Sequence, residues 1–190
     1  MDFTRNVVLK EDYTFLAASA EGQVEGGEHG LYHRDTRFLS RYGWRFGQHL
    51  QLLLLHSARP DGFRARHARL AHHGQTLALH RDCTISGGAL SDTLTLEATG
   101  SEEQEVHLEL DVAADFADLF EVRGWQGLAR QVRAERRPGG ALFGYTDGRG
   151  AELVTEVAFS EPATWTPAGS ASFQMTLKPG ESRQIGVEVK

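Results

Sequence analysis

The sequence has little of what stabilises small secreted proteins or anchors proteins in membranes. It contains one cysteine, Cys83, so an internal disulfide is excluded. The apolar stretch Leu52–Leu55 has only the length of part of a strand, and no run approaches the ~20 residues that cross a bilayer. The first five residues contain no apolar signal core either. We therefore expect a soluble cytoplasmic protein, long enough at 190 residues to bury a core of its own.

Positive charge is also in short supply. The net charge of -6 argues against bulk binding to nucleic acid or to an anionic membrane. Two basic segments run against this balance, one from Arg59 to Arg81 and one from Arg130 to Arg137. Neither contains the interleaved aromatic residues on which single-stranded nucleic acids stack. We interpret both segments as solvated faces or interface rims.

What the sequence does have is strand-like alternation of apolar and polar residues. Val106, Leu108, Leu110 and Val112 alternate with charged or polar residues, which predicts a half-buried strand. Many such strands, separated by glycine and proline turns, predict an all-β fold: a large two-sheet antiparallel β-sandwich (supersandwich-like) with one or two short helical turns. Because no linker divides the chain, we expect a single domain over residues 1–190.

Two details of this prediction concern particular segments. Residues 38–46 read as one continuous strand. Near the end of the chain, Lys178-Pro179-Gly180-Glu181 has proline and glycine at the positions that a tight turn favours. We predict that this turn closes a hairpin between the last two strands.

Two polar-aromatic strings are not explained by strand formation. The first runs from Gly26 to Ser40 (GGEHGLYHRDTRFLS) and the second from Asp115 to Gly124 (DFADLFEVRG). An unpaired buried charge is very costly, so charges packed this densely beside a core either pair internally or face a partner. In the second string, four residues at the spacing i, i+3, i+4 and i+7, with the aromatic ones on one face, predict a short helix; they are Phe116, Leu119, Phe120 and Arg123.

The acidic residues of the second string invite a catalytic interpretation. Glycosidases place two carboxylates about 5 to 10 Å apart, and Asp115, Asp118 and Glu121 would lie on one polar helix face beside the aromatic one. Three acids on one turn more often bias a helix N-terminus or pair with arginines. We favour this second interpretation, with Arg123 or the arginines of the first string as partners.

The first string contains atoms that could bind a metal, in Glu28, His29, His33 and Asp35. His29 and His33 would share a face only on a helix, and the glycines around them argue against one. We therefore predict neither a metal nor a cofactor.

Three tryptophans are candidates for stacking on sugar rings. Trp44 lies in a predicted strand and is expected in the core, Trp165 lies in a proline-flanked loop, and Trp125 is the best surface candidate. For all three, core or edge packing is the favoured interpretation.

Together with Leu9-Lys10-Glu11-Asp12-Tyr13-Thr14-Phe15, the two strings resemble the N-terminal domain of bacterial glycogen debranching enzymes and amylo-alpha-1,6-glucosidases. The resemblance implies a β-sandwich followed by a helical α/α-barrel that carries the glycosidase carboxylates. We expect that barrel C-terminal to Lys190, so this chain would be one domain of a longer enzyme and not a glycosidase by itself.

The resemblance assigns the chain a role as scaffold and substrate-side wall for the catalytic barrel. Candidate interface or substrate-side residues are Glu28, His29, His33, Arg34, Asp35, Arg37, Asp115, Asp118, Glu121, Arg123 and Trp125. Expected partners are the barrel and α-glucan, with no nucleic acid or membrane and with self-association of the isolated domain. Two alternatives stay open: a stand-alone carbohydrate-binding module, and a small hydrolase that uses Asp115, Asp118 and Glu121.

Overall fold

A computed structural model describes residues 6–47, 50–71, 74–127 and 129–190, whose regular secondary structure is almost entirely β-strand. The strands are β1 (Val7–Glu11), β2 (Thr14–Ala18), β3 (Gly30–His33), β4 (Thr36–Leu39), β5 (Arg41–Phe46), β6 (Gln51–Arg59), β7 (Gly62–Ala71), β8 (Gly74–Ser86), β9 (Ala89–Ala98), β10 (Gln104–Ala113), β11 (Arg133–Arg137), β12 (Gly140–Thr146), β13 (Glu152–Phe159), β14 (Thr164–Trp165), β15 (Ala171–Leu177) and β16 (Ser182–Val189). One short helix, α1, covers Leu119–Val122. Within these residues, no helix has the length and hydropathy needed to cross a membrane.

The strands form three antiparallel sheets. An eight-stranded sheet has the order β11-β12-β13-β16-β9-β8-β7-β6. Two four-stranded sheets, β1-β2-β3-β4 and β14-β15-β10-β5, complete the fold. The first of these contacts the large sheet through β1 on β8 and β4 on β13. This arrangement confirms the predicted antiparallel all-β sandwich with a short helical turn.

Alternation along the strands builds the core. In β10, the predicted inward residues Val106, Leu108, Leu110 and Val112 are all buried, with at most 4% of their surface exposed. Trp44 is buried on β5, where it lies opposite Leu110. Burial of such side chains is the main favourable term in folding, at about 25 cal/mol per Å² of apolar surface.

The turn at residues 178–181 forms as predicted, but the hairpin prediction is wrong. The Glu181 N–H donates to the Lys178 carbonyl at 2.8 Å, and Gly180 has a φ of 77°, which glycine adopts without strain. The strands on either side do not pair: β15 pairs with β10 and β14, whereas β16 pairs with β9 and β13. The turn therefore carries the chain from one sheet to another.

The single strand predicted over residues 38–46 is divided in two. β4 ends at Leu39 and β5 begins at Arg41, in different sheets. Between them, the Ser40 N–H donates to the Ala113 carbonyl at 2.9 Å. The burial pattern changes phase at the break: Leu39 is buried, Ser40 and Arg41 are not, and burial resumes at Tyr42. Reading residues 38–46 as one strand overlooks these two successive polar residues.

A buried carboxylate, Asp92 on β9, connects the two layers of the sandwich. It is fully buried and accepts hydrogen bonds from Tyr42 Oη at 2.8 Å and from Trp44 Nε1 at 3.1 Å, both on β5 of the opposite sheet. Arg81 Nε, on the neighbouring strand β8, lies 3.0 Å from both Asp92 oxygens. One carboxylate therefore joins three donors from two sheets.

Arg81 corrects the sequence interpretation, which placed it with the other arginines on a solvated face. Only 1% of the residue is exposed. Its guanidinium lies 5.0 Å from the centre of the Phe63 ring, and Nη1 donates to the Gly22 carbonyl at 2.9 Å. A buried charge is tolerated only when it is paired and hydrogen-bonded, and Asp92 supplies the pairing.

The surroundings of this ion pair fix the charge state of its neighbours. Burial, followed by the negative charge of Asp92, raises the pKa of Tyr42 well above its ordinary value. The same two causes raise the pKa of Cys83. Cys83 is therefore a protonated core residue and not a reactive thiolate.

His67 is the one buried titratable group in these residues whose pKa is moved well below neutral pH. Only 6% of the residue is exposed, and its ring centre lies 4.9 Å from that of Phe46. Burial, and then the positive charge of Arg81, lowers the pKa of His67 from 6.5 to about 4. The imidazole is therefore neutral in the folded protein at any pH above about 4.

We predict that His67 makes the fold sensitive to mild acid. As pH falls below 6.5, the unfolded state binds a proton at His67 that the folded state does not bind until about pH 4. The stabilising contribution is complete above pH 6.5, falls by about 2 kcal/mol at pH 5, and is lost below pH 4. Urea unfolding of wild type and His67→Phe at pH 7 and pH 5 measures this difference. Equal losses in the two proteins would contradict the prediction.

Candidate functional site

The first string forms the hairpin of β3 and β4 and the loop that precedes it. Arg34 and Asp35 lie at the tip with φ values of 45° and 65°, the left-handed conformation that two-residue hairpin turns require. Both residues are exposed, and the Arg34 guanidinium lies 5.8 Å from the centre of the Tyr13 ring. His33, at the end of β3, is within hydrogen-bond distance of Thr14 Oγ1 at 2.8 Å. These contacts fix the tip of the hairpin against the β1–β2 turn.

Arg37 joins the first string to the second. Its side chain is only 11% exposed, and its Nε donates to Asp115 Oδ1 at 3.1 Å while Nη2 donates to Oδ2. Nη1 donates to the Gly27 carbonyl at 2.6 Å and to the His29 carbonyl at 3.3 Å. Burial alone would favour the neutral guanidine, but the hydrogen bonds and charge of Asp115 raise the pKa of Arg37 above its ordinary value. One guanidinium thus holds three chain segments together.

Gly30 makes room for this arginine. A Cβ atom at position 30 would lie 2.5 Å from Arg37 Cδ and 2.8 Å from Tyr32 Cε2. Tyr32 is itself fixed, since its ring stacks on Phe15 with centres 4.6 Å apart and its hydroxyl donates to the Glu28 carbonyl at 2.9 Å. Gly30 is therefore required by close packing and not by a positive φ, unlike Gly26 and Gly27 of the same string, whose φ values are 91° and 59°.

The second string lies along the free edge of β4. The Arg37 N–H donates to the Ala117 carbonyl at 2.9 Å, and the Leu119 N–H donates to the Asp35 carbonyl at 2.8 Å. Between these bonds, Thr36 and Asp118 form an antiparallel β-bridge. The structure therefore brings the two strings side by side, through backbone as well as side-chain bonds. We call this region, comprising Arg37, Asp115, Asp118, Glu121 and Arg130, the junction.

The predicted aromatic helix face in the second string is wrong. The helix contains only four residues and begins after Asp118, whose backbone is extended at φ -68° and ψ 152°. Phe116 precedes the helix with a φ of 53° and is buried, with its ring 5.7 Å from that of Phe38. Phe120, inside the helix, is 53% exposed. Helical spacing cannot continue through an extended residue, so Phe116 and Phe120 face opposite environments.

The other two junction carboxylates, those of Asp118 and Glu121, accept hydrogen bonds from groups close to them. Asp118 and Glu121 form a capping box: the Asp118 side chain accepts from the Phe120 N–H at 2.8 Å, and Glu121 Oε2 accepts from the Asp118 N–H at 2.7 Å. Glu121 Oε2 also accepts from Arg130 Nη2 at 2.6 Å. The Arg130 guanidinium lies 5.6 Å from the centre of the Tyr145 ring.

The Arg37–Asp115 and Glu121–Arg130 pairs line a cavity of about 270 Å³. Sequence reasoning missed Arg130, because its basic segment was interpreted as solvated and no spacing connects it to Glu121. Among the described residues, no three His, Cys, Asp or Glu side chains come close enough together to hold a metal.

The other candidates lie on the surface around the junction. Glu28 is exposed, His29 is half-buried, and Arg123 is exposed after α1, where its N–H donates to the Leu119 and Phe120 carbonyls. Trp125 is 70% exposed, with its ring 5.3 Å from that of Phe120. We call Phe120 and Trp125 the aromatic pair. It is an exposed apolar surface directly beside the rigid junction.

We predict that the junction contributes to stability through Arg37 and Asp115. Asp115→Asn removes the charge that pairs with a mostly buried guanidinium, so the free energy of unfolding should fall by about 2 kcal/mol. Glu152→Gln is the matched control, because its partner Arg133 is 69% exposed and such pairs contribute about 0–1 kcal/mol. Urea titration measures both variants. If the two lost equal stability, the proposed importance of the junction pair would be wrong.

Comparison with solved structures supports the fold over the full chain. A provisionally named aldose 1-epimerase of Escherichia coli K12 has a TM-score of 0.58 at 11% identity, covering 97% of this chain and 98% of that one. The Slr1438 protein of Synechocystis sp. PCC 6803 has a TM-score of 0.55 at 11% identity, covering 100% and 98%. At this identity the likeness concerns the β-sandwich alone.

Comparison of sequences gives a family. No curated protein sequence matched the chain. Residues 9–188 match the family described as the N-terminal domain of some glycogen debranching enzymes. The matched range contains both strings and every residue of the junction. The chain therefore belongs to the family of N-terminal domains of glycogen debranching enzymes.

Proposed function

We propose that this chain is a non-catalytic accessory domain of a glycogen-debranching, amylo-alpha-1,6-glucosidase-like glycoside hydrolase. It packs against a catalytic α/α-barrel that follows it in the parent polypeptide and forms part of the substrate side. Membership of the N-terminal domain family supports the association with a catalytic domain. The proposal places the enzyme in the cytoplasm, which fits a single buried, unpaired cysteine.

The bonding of the junction acids supports a non-catalytic role. A glycosidase needs one carboxyl group free to donate a proton and a second free to act as nucleophile or base. Asp115 is held by Arg37, Asp118 caps α1, and Glu121 binds both a backbone N–H and Arg130. Recruiting any of them for catalysis would disrupt the local structure that positions it.

The aromatic pair is the observation that carries the docking proposal. Phe120 and Trp125 are 53% and 70% exposed, and aromatic residues of this kind are enriched at the centres of protein interfaces. Their backbone is hydrogen-bonded to the fold, because α1 is capped by Asp118 and bonded to the β3–β4 hairpin, and the Trp125 N–H donates to the Phe120 carbonyl. A rigid apolar surface loses little conformational entropy on binding, which favours its use as a docking point.

A stand-alone α-glucan-binding module is the second candidate. One observation favours it: Trp125 presents a largely exposed ring two residues before Gly127, which lines the cavity of about 270 Å³ together with charged junction side chains. Sugars need such a combination of stacking face and hydrogen-bonding groups. The two proposals use the same residues for different partners, so experiments must separate them.

The accessory proposal predicts that the chain alone has no turnover. Purified chain should release no glucose from glycogen limit dextrin, whereas the native polypeptide from source cells should be several times larger than 21.0 kDa. In that native enzyme, Phe120→Ser with Trp125→Ser should lower kcat/KM about tenfold, equivalent to ~1.4 kcal/mol of lost interface contacts. Leu142→Ser, at a leucine 38% exposed on β12, is the control and should leave kcat/KM unchanged. A native mass near 21.0 kDa would refute the proposal, as would glucose release by the chain that Asp118→Asn abolishes.

The glucan-binding alternative has its own readout, which is migration of the chain in native gels that contain glycogen or maltodextrin. We expect migration equal to that in a gel without glucan, because the aromatic pair is assigned to the barrel. Retardation that is lost in Trp125→Ala and kept in Leu142→Ala would instead establish the binding module.

A further inference from the structure

The three sheets have six edge strands within the described residues: β1 and β4, β14 and β5, β11 and β6. An edge strand presents unpaired N–H and C=O groups and is a template for another strand, so proteins block their edges. The six edge strands of this fold differ in how, and whether, they are blocked.

The four edges of the two smaller sheets are covered or short. The second string bonds along β4, as described above, and the Lys10 N–H of β1 donates to the Pro60 carbonyl at 2.7 Å. On β5, Tyr42 bridges to Val24, and β14 contains only two residues. Each of these edges is therefore short or bonded to another segment of the chain.

The two edges of the eight-stranded sheet differ sharply. β11 has the sequence RAERR, fully exposed, with four charged residues out of five. Repeated charge is a standard block to edge pairing. β6, at the opposite edge, is nine residues long with the sequence QLLLLHSAR, and Arg59 at its end is its only arginine, lysine or acid. Within the described residues β6 has a strand on one side only, which is β7.

β6 also exposes apolar surface where an edge strand is normally polar. Leu53 and Leu54 are each 56% exposed, and Leu70 on the adjacent strand β7 is 60% exposed. The register with β7 shifts between Leu52 and Leu54, and this irregularity leaves two successive leucines in contact with solvent. Exposed leucines beside free backbone groups mark a surface that binds another strand.

We propose that β6 pairs antiparallel with β6 of a second copy, joining two eight-stranded sheets into one continuous sheet across a two-fold axis. The sequence is self-complementary for this pairing. Centred on Leu54, it places Leu53 opposite Leu55 of the second copy and introduces no like-charge contact. A two-fold axis satisfies both copies with the same contacts and closes the assembly at a dimer. This interface is independent of the aromatic pair, which lies beside the junction.

The test is the mass of the chain in solution and its change on substitution. Light scattering at about 100 µM, well above the Kd of a moderate interface, should give about 42 kDa, twice the 21.0 kDa of one chain. Leu54→Lys should give a monomer at that concentration. Its urea midpoint at about 1 µM, where dimerisation no longer stabilises the wild type, should be unchanged, because the residue is 56% exposed. The matched control is Leu142→Lys, the same change at an exposed leucine on the interior strand β12, which should stay dimeric.

Hydrogen exchange of the wild-type chain gives a reading that needs no variant. Exchange at residues 51–57 should slow by roughly tenfold between about 1 µM and 100 µM as the edge amides become bonded.

A monomer at 100 µM, or equal dissociation by Leu54→Lys and Leu142→Lys, would overturn the proposal. So would a dimer that Trp125→Ser dissolves while Leu54→Lys does not, because that result assigns self-association to the aromatic pair. The accessory role is unaffected by any of these outcomes, since its readout is catalysis in the native enzyme.

Discussion

The buried carboxylate of Asp92 is the constraint on which the sandwich depends. Apolar side chains hold two sheets together without fixing how one lies on the other, because hydrophobic attraction has no direction. Asp92 adds direction, since its oxygens must meet Tyr42 and Trp44 from one sheet and Arg81 from the other. A shift of β5 relative to β9 by one residue would remove the Tyr42 and Trp44 hydrogen bonds and leave the buried carboxylate with Arg81 alone. An unsatisfied buried polar group costs more than the loss of a few apolar contacts.

The junction also contains an arginine–aspartate ion pair, Arg37–Asp115, but this pair has a different structural role. At Asp92 both charges are sealed in the core, whereas at Arg37 the arginine is mostly buried and Asp115 is 37% exposed. The inner pair sets the relation of two sheets, and the outer pair holds loops on the edge of one sheet. Loops fixed in this way present the aromatic pair at low entropic cost, which is what a docking surface requires.

The parts of this structure that depend on local sequence patterns, such as strand alternation and turn residues, could be predicted from the sequence. Period-two alternation located β10 and the core positions within it, and Pro179-Gly180 located a turn. It did not foretell which strands pair, because a tight turn has the same chemistry whether the next strand joins the same sheet or another. Arg81 was misplaced for a related reason: it alternates inward like its neighbours, but the partner that permits its burial is eleven residues away. Phe116 was misplaced because its positive φ depends on contacts with Phe38 and Tyr145 from distant strands.

The passage from β15 to β16 has a consequence for the order in which the protein is built. β16 lies in the interior of the large sheet, with β9 on one side and β13 on the other. The strands of this sheet that precede β16 in the chain therefore form two separate groups, β6 to β9 and β11 to β13. The edges of β9 and β13 stay unpaired until β16, the last strand of the sheet to be synthesised, inserts between them. Until residues 182–189 emerge and insert, the nascent chain carries two open edges within what becomes the middle of its largest sheet. Completion of the domain is thus a closing step that depends on the pairing of β16 with β9, a non-local contact of the kind that slows folding.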